Sequence, residues 1–314
     1  MRLPSPWGEA NIVAVVPTYN EAANLPLLVA RLLALPLPNL RVLIADDNSP
    51  DGTGDVADTL ATEYEGRVRV VHRAGKEGLG RAYVDGMRCA LDSGADFVAQ
   101  LDADLSHPPE YLPQMLGTLL ATEAGLVIGS RYVSGGQLAQ DWPLYRKALS
   151  GWANFYVETL LRLRIKDMTA GFKVWRAQTL TDIDLSNITS NGYSFQVEMH
   201  YLAQLGGHKI VEIPIHFEER QHGASKMNLG VKVESALMPF KLQARHRDAR
   251  RRKTVLASHA RACTPSTRLR TTSVRSRDRP PDAHLGQNQP SQPSRYRRAN
   301  RSAVVRTGSC HTGR

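Results

Sequence analysis

The sequence predicts an α/β protein built on a mostly parallel sheet with helices on both faces. Between residue 11 and about residue 130, short β-branched runs alternate with longer segments of helical periodicity, which is typical of such sheets. The strand runs are apolar throughout, as expected for strands that are buried on both faces. Beyond residue 245 this pattern ends, and the chain becomes rich in Arg, Ser, Thr and Pro.

Each predicted element follows from one such run. The first part of the chain predicts five strands, at 11–16, 41–45, 68–72, 97–101 and 126–129. Apolar residues at helical spacing predict helices over 22–35 and 81–92. The second part adds a helix over 144–163, a strand over 172–175, a helix over 195–205 and a strand over 209–217. We expect these later elements to extend the same sheet rather than to form a second domain.

Charge divides the chain into two parts. Residues 1–243 hold 22 basic and 27 acidic side chains, whereas residues 244–314 hold 18 basic and 3 acidic ones. Because the part that can fold is mildly acidic, we expect no nucleic-acid partner. The basic part has too few aliphatic residues to offset chain entropy and is predicted to be disordered. The predicted organisation is an N-terminal extension over 1–10, a folded domain over 11–243 and a basic tail over 244–314.

Cysteine usage and hydropathy indicate the compartment. Cys89, Cys263 and Cys310 are far apart and lack CxxC spacing, so neither a disulfide framework nor a thiolate metal site is expected. A reducing compartment fits best. No cleavable leader pattern and no run of 18 apolar residues occurs, and the chain is expected to be neither secreted nor membrane-spanning by itself.

The strongest chemical signal is the pair of aspartates in Asp102-Ala103-Asp104, directly after the apolar strand FVAQL. Carboxylates at i and i+2 from a strand end can reach one hard cation. Mg²⁺ or Mn²⁺ takes one or two carboxylates and completes its shell with substrate phosphates. The segment therefore predicts a diphosphate site, while a solvated acidic loop is the alternative that D-x-D alone leaves open.

A second acidic cluster, DDNSPDGT at 46–53, also follows an apolar strand. Its carboxylates can accept hydrogen bonds from a base or from ribose hydroxyls, and Thr53 or Asp55 is expected to cap the next helix. Asp46 and Asp47 should repel each other unless a ligand uses them. Open α/β sheets bind ligands at the carboxyl ends of their strands, so both clusters should line one cleft.

Two other features carry weaker signals. The glycine-rich segment 73–81 lacks both GxxxxGK[ST] and a third dinucleotide-type glycine, which weakens kinase, GTPase and dehydrogenase interpretations. This segment either leads into the next helix or contacts a ligand directly. The histidines show no metal-binding spacing, and we predict structural or solvated roles for His72, His107, His200, His208, His216 and His222.

A series of motifs occurs in one order: PTYNE, DDNSPDGT, KEGLGRAY, DADLSHPP, GSRY, R-x3-S-x3-N from residue 146, DMTAGF, GYSFQVE and R-x4-SK from residue 220. In this order the sequence resembles the dolichol-phosphate (polyprenol-phosphate) mannosyltransferases. These are inverting family 2 glycosyltransferases of the GT-A fold. The resemblance covers roughly residues 11–243 and implies that this part is a GT-A catalytic domain.

The resemblance also implies roles for individual residues. The donor pocket would contain Pro17, Tyr19, Glu21, Ala45, Asp47, Asp102, Ala103, Asp104, Arg220 and Lys226. The metal ligands would be Asp102, Asp104 and Ser106, where some family members carry glutamine at the third position. The acceptor phosphate would be clamped by Arg131, Arg146 and Ser150. Arg220 and Lys226 would close over the donor diphosphate, and the catalytic set would be Asp104, Arg131, Arg220 and Lys226.

The reaction implied by the resemblance moves mannose from GDP-mannose to a polyprenyl phosphate with inversion, and depends on Mg²⁺ or Mn²⁺. A phosphate monoester has its second pKa near ~6, so this acceptor needs charge neutralisation rather than a strong general base. Two alternatives stay open: the same chemistry with UDP-glucose or another sugar nucleotide, or a non-catalytic nucleotide- or nucleic-acid-binding module.

A lipid acceptor implies contact with a membrane. Apolar residues over 229–242 followed by basic residues over 245–253 predict an amphipathic helix that lies on a membrane surface or docks on an integral-membrane anchoring partner. We therefore expect a peripheral protein on the cytoplasmic side of the membrane. Trp142, Trp152, Trp175, Phe155 and Tyr156 are candidates for contact with the prenyl chain, with core packing as the alternative.

Overall fold

In the computed structural model of the chain, residues 7–138, 144–188, 190, 192–218 and 238–246 are described. Their strands are β1 (Ile12–Thr18), β2 (Leu40–Asp46), β3 (Val68–His72), β4 (Phe97–Gln100), β5 (Leu126–Ser130), β6 (Lys173–Arg176) and β7 (Ile210–Pro214). The helices are α1 (Leu25–Leu33), α2 (Thr53–Glu63), α3 (Leu79–Asp92), α4 (Leu112–Thr122), α5 (Leu144–Leu161), α6 (Ala177–Ile183) and α7 (Gly192–Leu205). Residues 238–245 form a last helix, α8.

The strands form one sheet in the order β3-β2-β1-β4-β6-β5-β7. Neighbouring strands are parallel except at β6, which runs antiparallel to both β4 and β5. The prediction that the later strands extend the first sheet is confirmed. Because β6 is reversed, the chain enters it at the edge where β1, β2, β4 and β5 end. The carboxyl ends of the six parallel strands, β3 and β7 included, and the segment leading into β6 therefore lie at one edge.

Apolar residues of the strands supply core on both faces of the sheet. One face packs against α1 and α4 through residues such as Leu28 and Leu116. The other packs against α3, α5 and α7 through residues such as Val84 and Phe195. Helix α3 lies close to β1 because its eighth residue is glycine: a Cβ at Gly86 would lie 2.5 Å from Cγ1 of Val15. This two-sided burial explains why the strand runs are continuously apolar.

Element boundaries differ from the predictions by a few residues, and two helices were missed. Helix α1 begins at Leu25 rather than at residue 22, after a turn in which the carbonyl of Glu21 accepts from the amides of residues 24 and 25. Helices α4 and α6 were not predicted; α6 has only seven residues, too few to show a helical period.

The predicted amphipathic surface helix is partly wrong. Of its residues, those from 238 onward are described, and Met238 and Leu242 are buried in the core beside α5 and α7, where a membrane cannot reach them. Phe240 is exposed. Residues 229–237 and most of the predicted disordered tail lie outside the described residues. Among the described helices, none combines the length and hydrophobicity needed to cross a lipid bilayer.

Candidate active site

Hydrogen bonds join the loops that follow β1 and β2. The hydroxyl of Thr18 donates to Oδ1 of Asp46 at 2.9 Å. The amide and hydroxyl of Ser49 donate to the same carboxylate at 3.0 and 2.6 Å, and the amide of Asn20 donates to Oγ of Ser49 at 3.1 Å. Asp46 thus accepts three hydrogen bonds within the protein. The expectation that both acids of the pair await a ligand is therefore wrong for Asp46.

A second link joins the same two loops. The amide of Glu21 donates to Oγ1 of Thr53 at 2.9 Å. The amide and hydroxyl of Thr53 both donate to Oδ1 of Asp51, at 3.0 and 2.5 Å. The first amide of α2, that of Thr53, is therefore bound by the side chain of Asp51. Neither Thr53 nor Asp55 caps the helix, which corrects the prediction.

Asp47 is held by a residue outside its own motif. Its buried carboxylate forms an ion pair with Nη1 of Arg73, whose side chain also contacts Asp85 at 2.9 Å and Glu77 at 3.0 Å. Burial raises the pKa of Asp47, and the Arg73 guanidinium opposes that rise. Arg73 offsets the repulsion between Asp46 and Asp47 without a bound ligand.

The remaining donor-pocket predictions fall on the same edge. Pro17 and Ala45 are buried and lie opposite each other in the β1–β2 register. Tyr19 follows β1, and the ammonium of Lys76 lies 3.8 Å from the centre of its ring. The carboxylate of Glu21 accepts from Nδ2 of Asn24 at 2.7 Å. The glycine-rich segment 73–81 therefore contacts a predicted donor residue through Lys76, besides leading into α3.

The DxD loop follows β4 at this edge. Asp104 is buried, and its Oδ1 accepts from the amide and hydroxyl of Ser106 at 3.1 and 2.6 Å. Between these two residues Leu105 has a left-handed backbone with φ of +63°, a conformation that is costly for a leucine and concentrates at functional sites. The other carboxylate, of Asp102, accepts from the hydroxyl of Tyr83 at 2.7 Å.

These side chains fit a divalent cation. Asp102 and Asp104 offer only oxygen donors, as Mg²⁺ and Mn²⁺ prefer. Among the described residues no group of three or more His, Cys, Asp or Glu side chains could hold a metal. The donor set therefore suits an ion that completes its shell with phosphates rather than a metal caged by protein. Ser106 orients Asp104 through its hydroxyl, and its role as a direct ligand stays a prediction.

Gly171 closes the other side of this loop. A Cβ at this position would lie 2.9 Å from Oδ2 of Asp102 and 3.0 Å from Cε1 of His107. His107 is buried against the rings of Phe172 and Phe217, and burial lowers its pKa, so it is neutral at neutral pH. These contacts agree with the predicted structural role of His107, although this residue lies beside the DxD loop.

Arg131 follows β5 and is anchored by an ion pair. Its Nε and Nη2 donate to the two oxygens of Asp167 at 2.8 and 2.7 Å, and Nη2 also donates to Oγ1 of Thr169 at 2.9 Å. Asp167 is fully buried. Burial alone would raise the pKa of Asp167, but Arg131 outweighs it and the pKa lies below its usual value. The orientation of the Arg131 side chain is therefore fixed, at the edge of the sheet where the carboxyl ends of the strands meet.

The other predicted acceptor residues are only partly described. Ser150 accepts from the hydroxyl of Tyr132, the residue after Arg131, at 2.6 Å, which links α5 to the end of β5. Arg146 lies in the first turn of α5, and its side chain is not described. Arg220 and Lys226 lie outside the described residues.

Sequence reasoning missed the roles of four residues of this site: Arg73, Tyr83, Asp167 and Gly171. Arg73 begins the glycine-rich segment 73–81, and the other three lie within the quoted motifs KEGLGRAY and DMTAGF. Each acts on a predicted site residue that is distant in sequence. The motifs identified the segments that carry the site, but only the fold shows which side chains contact each other.

Comparisons with known proteins show the family of the chain. The family model described as glycosyl transferase family 2 matches residues 13–182. The chain is 46% identical over 226 residues to an undecaprenyl-phosphate mannosyltransferase of Micrococcus luteus, covering 72% of this chain and 91% of the relative. It is 44% identical over 225 residues to a polyprenol monophosphomannose synthase of Mycolicibacterium smegmatis, covering 72% and 83%. These relatives confirm the resemblance drawn from the motifs.

Solved structures confirm the predicted GT-A fold. Glucosyl-3-phosphoglycerate synthase from Mycobacterium tuberculosis, in complex with Mn²⁺, uridine diphosphate and phosphoglyceric acid, superposes with a TM-score of 0.55 at 18% identity. The match covers 76% of this chain and 79% of that one. Its complex with uridine diphosphate gives a TM-score of 0.52 at 20% identity, over 76% and 81% of the two chains. At this identity the likeness establishes the fold alone.

Proposed function

The chain belongs to glycosyl transferase family 2, and we propose that it transfers mannose from GDP-mannose to a polyprenyl phosphate with inversion. Support for the acceptor and the sugar comes from the names of its relatives, which act on undecaprenyl phosphate or make polyprenol monophosphomannose. The products would be polyprenyl-phosphate-β-mannose and GDP. The bond from the sugar C1 to the β-phosphate oxygen breaks, and a bond from C1 to an acceptor phosphate oxygen forms.

One observation carries this proposal: a pair of carboxylates and an anchored guanidinium lie at the same edge of the sheet, two strands apart. Asp102 and Asp104 follow β4, Arg131 follows β5, and β6 lies between these strands. Adjacent strands are about 4.8 Å apart, so the ends of β4 and β5, which lead into the two groups, are roughly 10 Å apart. That spacing leaves room for a sugar between a metal-bound diphosphate and an acceptor phosphate.

On the donor side, the loops after β1 and β2 would hold the nucleoside. Asp47 would accept hydrogen bonds from the base or ribose, and its ion pair with Arg73 would keep the carboxylate in place. Asp102 and Asp104 would hold Mg²⁺ or Mn²⁺, with Ser106 fixing the orientation of Asp104. When bound, the ion neutralises the diphosphate and stabilises the charge that develops on the departing GDP.

On the acceptor side, Arg131 would neutralise the acceptor phosphate. Asp167 holds the guanidinium through two hydrogen bonds and so fixes its plane before the acceptor arrives. We propose that Arg146 and Ser150 complete this clamp, and that Arg220 and Lys226 close over the donor diphosphate. The acceptor is already an anion at neutral pH, so none of these residues needs to remove a proton.

An exposed apolar surface supports the lipid acceptor. Trp175, one of the candidates for prenyl contact, is instead buried in the core, so that prediction is wrong. Five large apolar side chains of α5 are exposed, and helical spacing places them on one side of the helix: Leu144, Tyr145, Leu149, Trp152 and Phe155. Asn154, Val157 and Leu161 on the opposite side are buried. Exposed apolar patches of this kind mark protein or membrane contacts. We propose that this surface, the α5 face, lies on the lipid bilayer from which the acceptor phosphate is presented.

The basic tail is proposed to be dispensable for transfer. A truncation should keep residues through 249, because Arg245 contacts Glu198 at 3.4 Å and the side chain of Gln243 donates to the carbonyl of Leu160. Removal of residues 250–314 should leave transfer to a water-soluble acceptor largely unchanged. Complete loss of transfer would show that the tail belongs to the catalytic unit.

The proposed function is tested by transfer of labelled sugar to a short polyprenyl phosphate. GDP-mannose and UDP-glucose are offered in parallel, each with Mn²⁺, Mg²⁺ or EDTA. We expect mannolipid formation that EDTA abolishes. Asp104→Ala should lower the rate by about a thousandfold or more, whereas Asp92→Ala, an exposed acid at the far end of α3, should leave it unchanged. Glucolipid alone would overturn the donor assignment, and normal turnover of Asp104→Ala would overturn the metal site.

A further inference from the structure

Tyr83 of α3 is fully buried beneath the DxD loop. Its hydroxyl donates a hydrogen bond to Oδ1 of Asp102 at 2.7 Å. Its ring stacks on that of Phe195, with the centroids 5.7 Å apart and the planes 4° from parallel. The ring therefore belongs to the core between α3 and α7, and the hydroxyl belongs to the site.

Two residues that are distant in sequence, Tyr83 and Gly171, lie next to the carboxylate of Asp102. Oδ1 faces the Tyr83 hydroxyl, and Oδ2 lies where a Cβ at position 171 would approach to 2.9 Å. Because residue 171 has no Cβ, Oδ2 has room for this position. The hydrogen bond from Tyr83 and the space left by Gly171 thus favour one rotation of the carboxylate.

Core packing does not account for the hydroxyl. Phenylalanine would fill the same volume and keep the stack on Phe195. A buried tyrosine hydroxyl needs a hydrogen-bond partner. Here the hydroxyl donates to a carboxylate at the site and also interacts with the side chain of Gln100, rather than with a backbone carbonyl of the core.

A polar layer supports the floor of the site next to Asp102. Trp175 donates to Oε1 of Gln100 at 3.1 Å, and Nε2 of Gln100 donates to Oε1 of Gln196 at 2.7 Å. The ammonium of Lys173 donates to that same oxygen of Gln196. All four side chains are buried. The end of β4, from which Asp102 projects, is therefore held by a connected set of hydrogen bonds and does not shift to suit a ligand.

We propose that Tyr83 is a positioning residue for the metal site, which fixes the Asp102 carboxylate so that Oδ2 faces the cation. This inference rests on the proposed function, because it takes Asp102 as a metal ligand. Outer partners of metal ligands commonly contribute tenfold to a hundredfold in metal affinity. The hydroxyl acts through Asp102 and touches neither donor nor acceptor.

The test is the affinity of the full-length chain for Mn²⁺ in the presence of GDP, measured by titration calorimetry or by the loss of free Mn²⁺ signal in electron paramagnetic resonance. Tyr83→Phe should weaken Mn²⁺ binding at least tenfold while the metal-free chain unfolds at nearly the wild-type temperature. Tyr132→Phe is the matched control: it removes a hydroxyl bond of 2.6 Å on the acceptor side and should leave Mn²⁺ affinity unchanged. Phe195→Leu weakens the ring stack but keeps the hydroxyl and should also retain Mn²⁺ affinity.

The outcomes separate this inference from the proposed function. If Asp104→Asn binds Mn²⁺ normally, the metal site itself is wrong. If Asp104→Asn loses Mn²⁺ but Tyr83→Phe binds it as wild type does, only the positioning role of Tyr83 is overturned. A Tyr83→Phe chain that cannot fold would show that the hydroxyl serves the fold, and would overturn the positioning role as well.

Discussion

The donor half and the acceptor half of the cleft are held together in different ways. The loops after β1 and β2, which form the donor half, share several hydrogen bonds, among them those of Thr18, Asn20 and Glu21. In the part of the acceptor half that the structure describes, the strongest contact is the buried ion pair between Arg131 and Asp167. The donor loops are thus joined to each other by several neutral or singly charged hydrogen bonds, whereas Arg131 is held mainly by one ion pair.

This difference decides how each half tolerates change. Loss of one neutral hydrogen bond among several costs about 1 kcal/mol. Loss of one partner of a buried ion pair leaves the other charge without compensation and costs several times more. The hydrogen bonds that join the two donor loops should therefore be lost one at a time at small cost, whereas loss of the Arg131–Asp167 pair should have a large effect in one step.

The largest effect is expected from Arg131→Ala. The variant leaves the carboxylate of Asp167 buried without its guanidinium, and should lose about 3–5 kcal/mol of unfolding free energy in urea denaturation at pH 7. Adding Asp167→Asn to Arg131→Ala should restore part of the lost unfolding free energy, because the buried carboxylate charge is then removed as well. If Arg131→Ala is as stable as wild type, the acceptor half does not depend on this pair.

Lys173 tests the boundary between the halves, because it lies on β6 between β4 and β5. Burial lowers its pKa to about 7, although Asp102 and Asp167 oppose this. Between pH 7 and 10 the unfolded chain keeps a proton that the folded chain has released, so folding should become more favourable as pH rises. The slope for one such group approaches about 1.4 kcal/mol per pH unit. Below pH 7 the cost of burying the charge is fully present.

The measurement compares urea denaturation of wild type and Lys173→Met in EDTA at several pH values from 6.5 to 9.5. The stability of wild type relative to Lys173→Met should rise across this range. Lys209→Met, which removes an exposed lysine whose ammonium donates to the carbonyl of Thr122, should give a constant difference. Parallel curves for wild type and Lys173→Met would show that Lys173 does not titrate in this range.

A smaller effect is expected at the α5 face, where the acceptor half meets its surroundings. Trp152 and Phe155 are 61% and 64% exposed, so replacing both by serine should leave the unfolding temperature almost unchanged. Partition onto vesicles of phosphatidylglycerol and phosphatidylcholine should fall about tenfold, because two aromatic side chains no longer enter the bilayer. Sedimentation with vesicles measures this.

The matched control at the α5 face is Leu27→Ser, which removes an exposed apolar side chain from α1. It should keep wild-type partition. Equal partition of wild type and the Trp152/Phe155 variant would exclude the lipid surface as the occupant of the α5 face.

The smallest effect should follow from Ser49→Ala in the donor half. The change removes the hydrogen bond that the Ser49 hydroxyl donates to Asp46. It also removes the oxygen that accepts from the amide of Asn20. We expect a loss of about 1 kcal/mol in unfolding free energy and at most a few-fold rise in the KM for the donor. Thr59→Ala, which removes an exposed side-chain bond within α2, provides the comparison. A loss above 3 kcal/mol would show that the donor half is not secured redundantly.

The same contrast explains what could be predicted from sequence. All five early strands and the edge that carries the site follow from apolar runs ending in polar motifs, because those signals are local. The partners of Arg131 and Asp47 did not follow, since Asp167 and Arg73 reach them only through the fold. The burial of Met238 and Leu242 was missed for the same reason: an amphipathic pattern shows which face is apolar but not what covers it.

The reversed strand β6 also sets the order in which the sheet can be assembled. Strands β1 to β4 are neighbours of one another and are complete once residue 100 has been synthesised. Strand β5 ends at Ser130, yet its sheet neighbours are β6 and β7, which begin at Lys173 and Ile210. During synthesis the newly made chain therefore carries an apolar strand without a partner until β6 arrives. An unpaired apolar strand of this kind favours aggregation, so we expect this interval to be a vulnerable stage of synthesis.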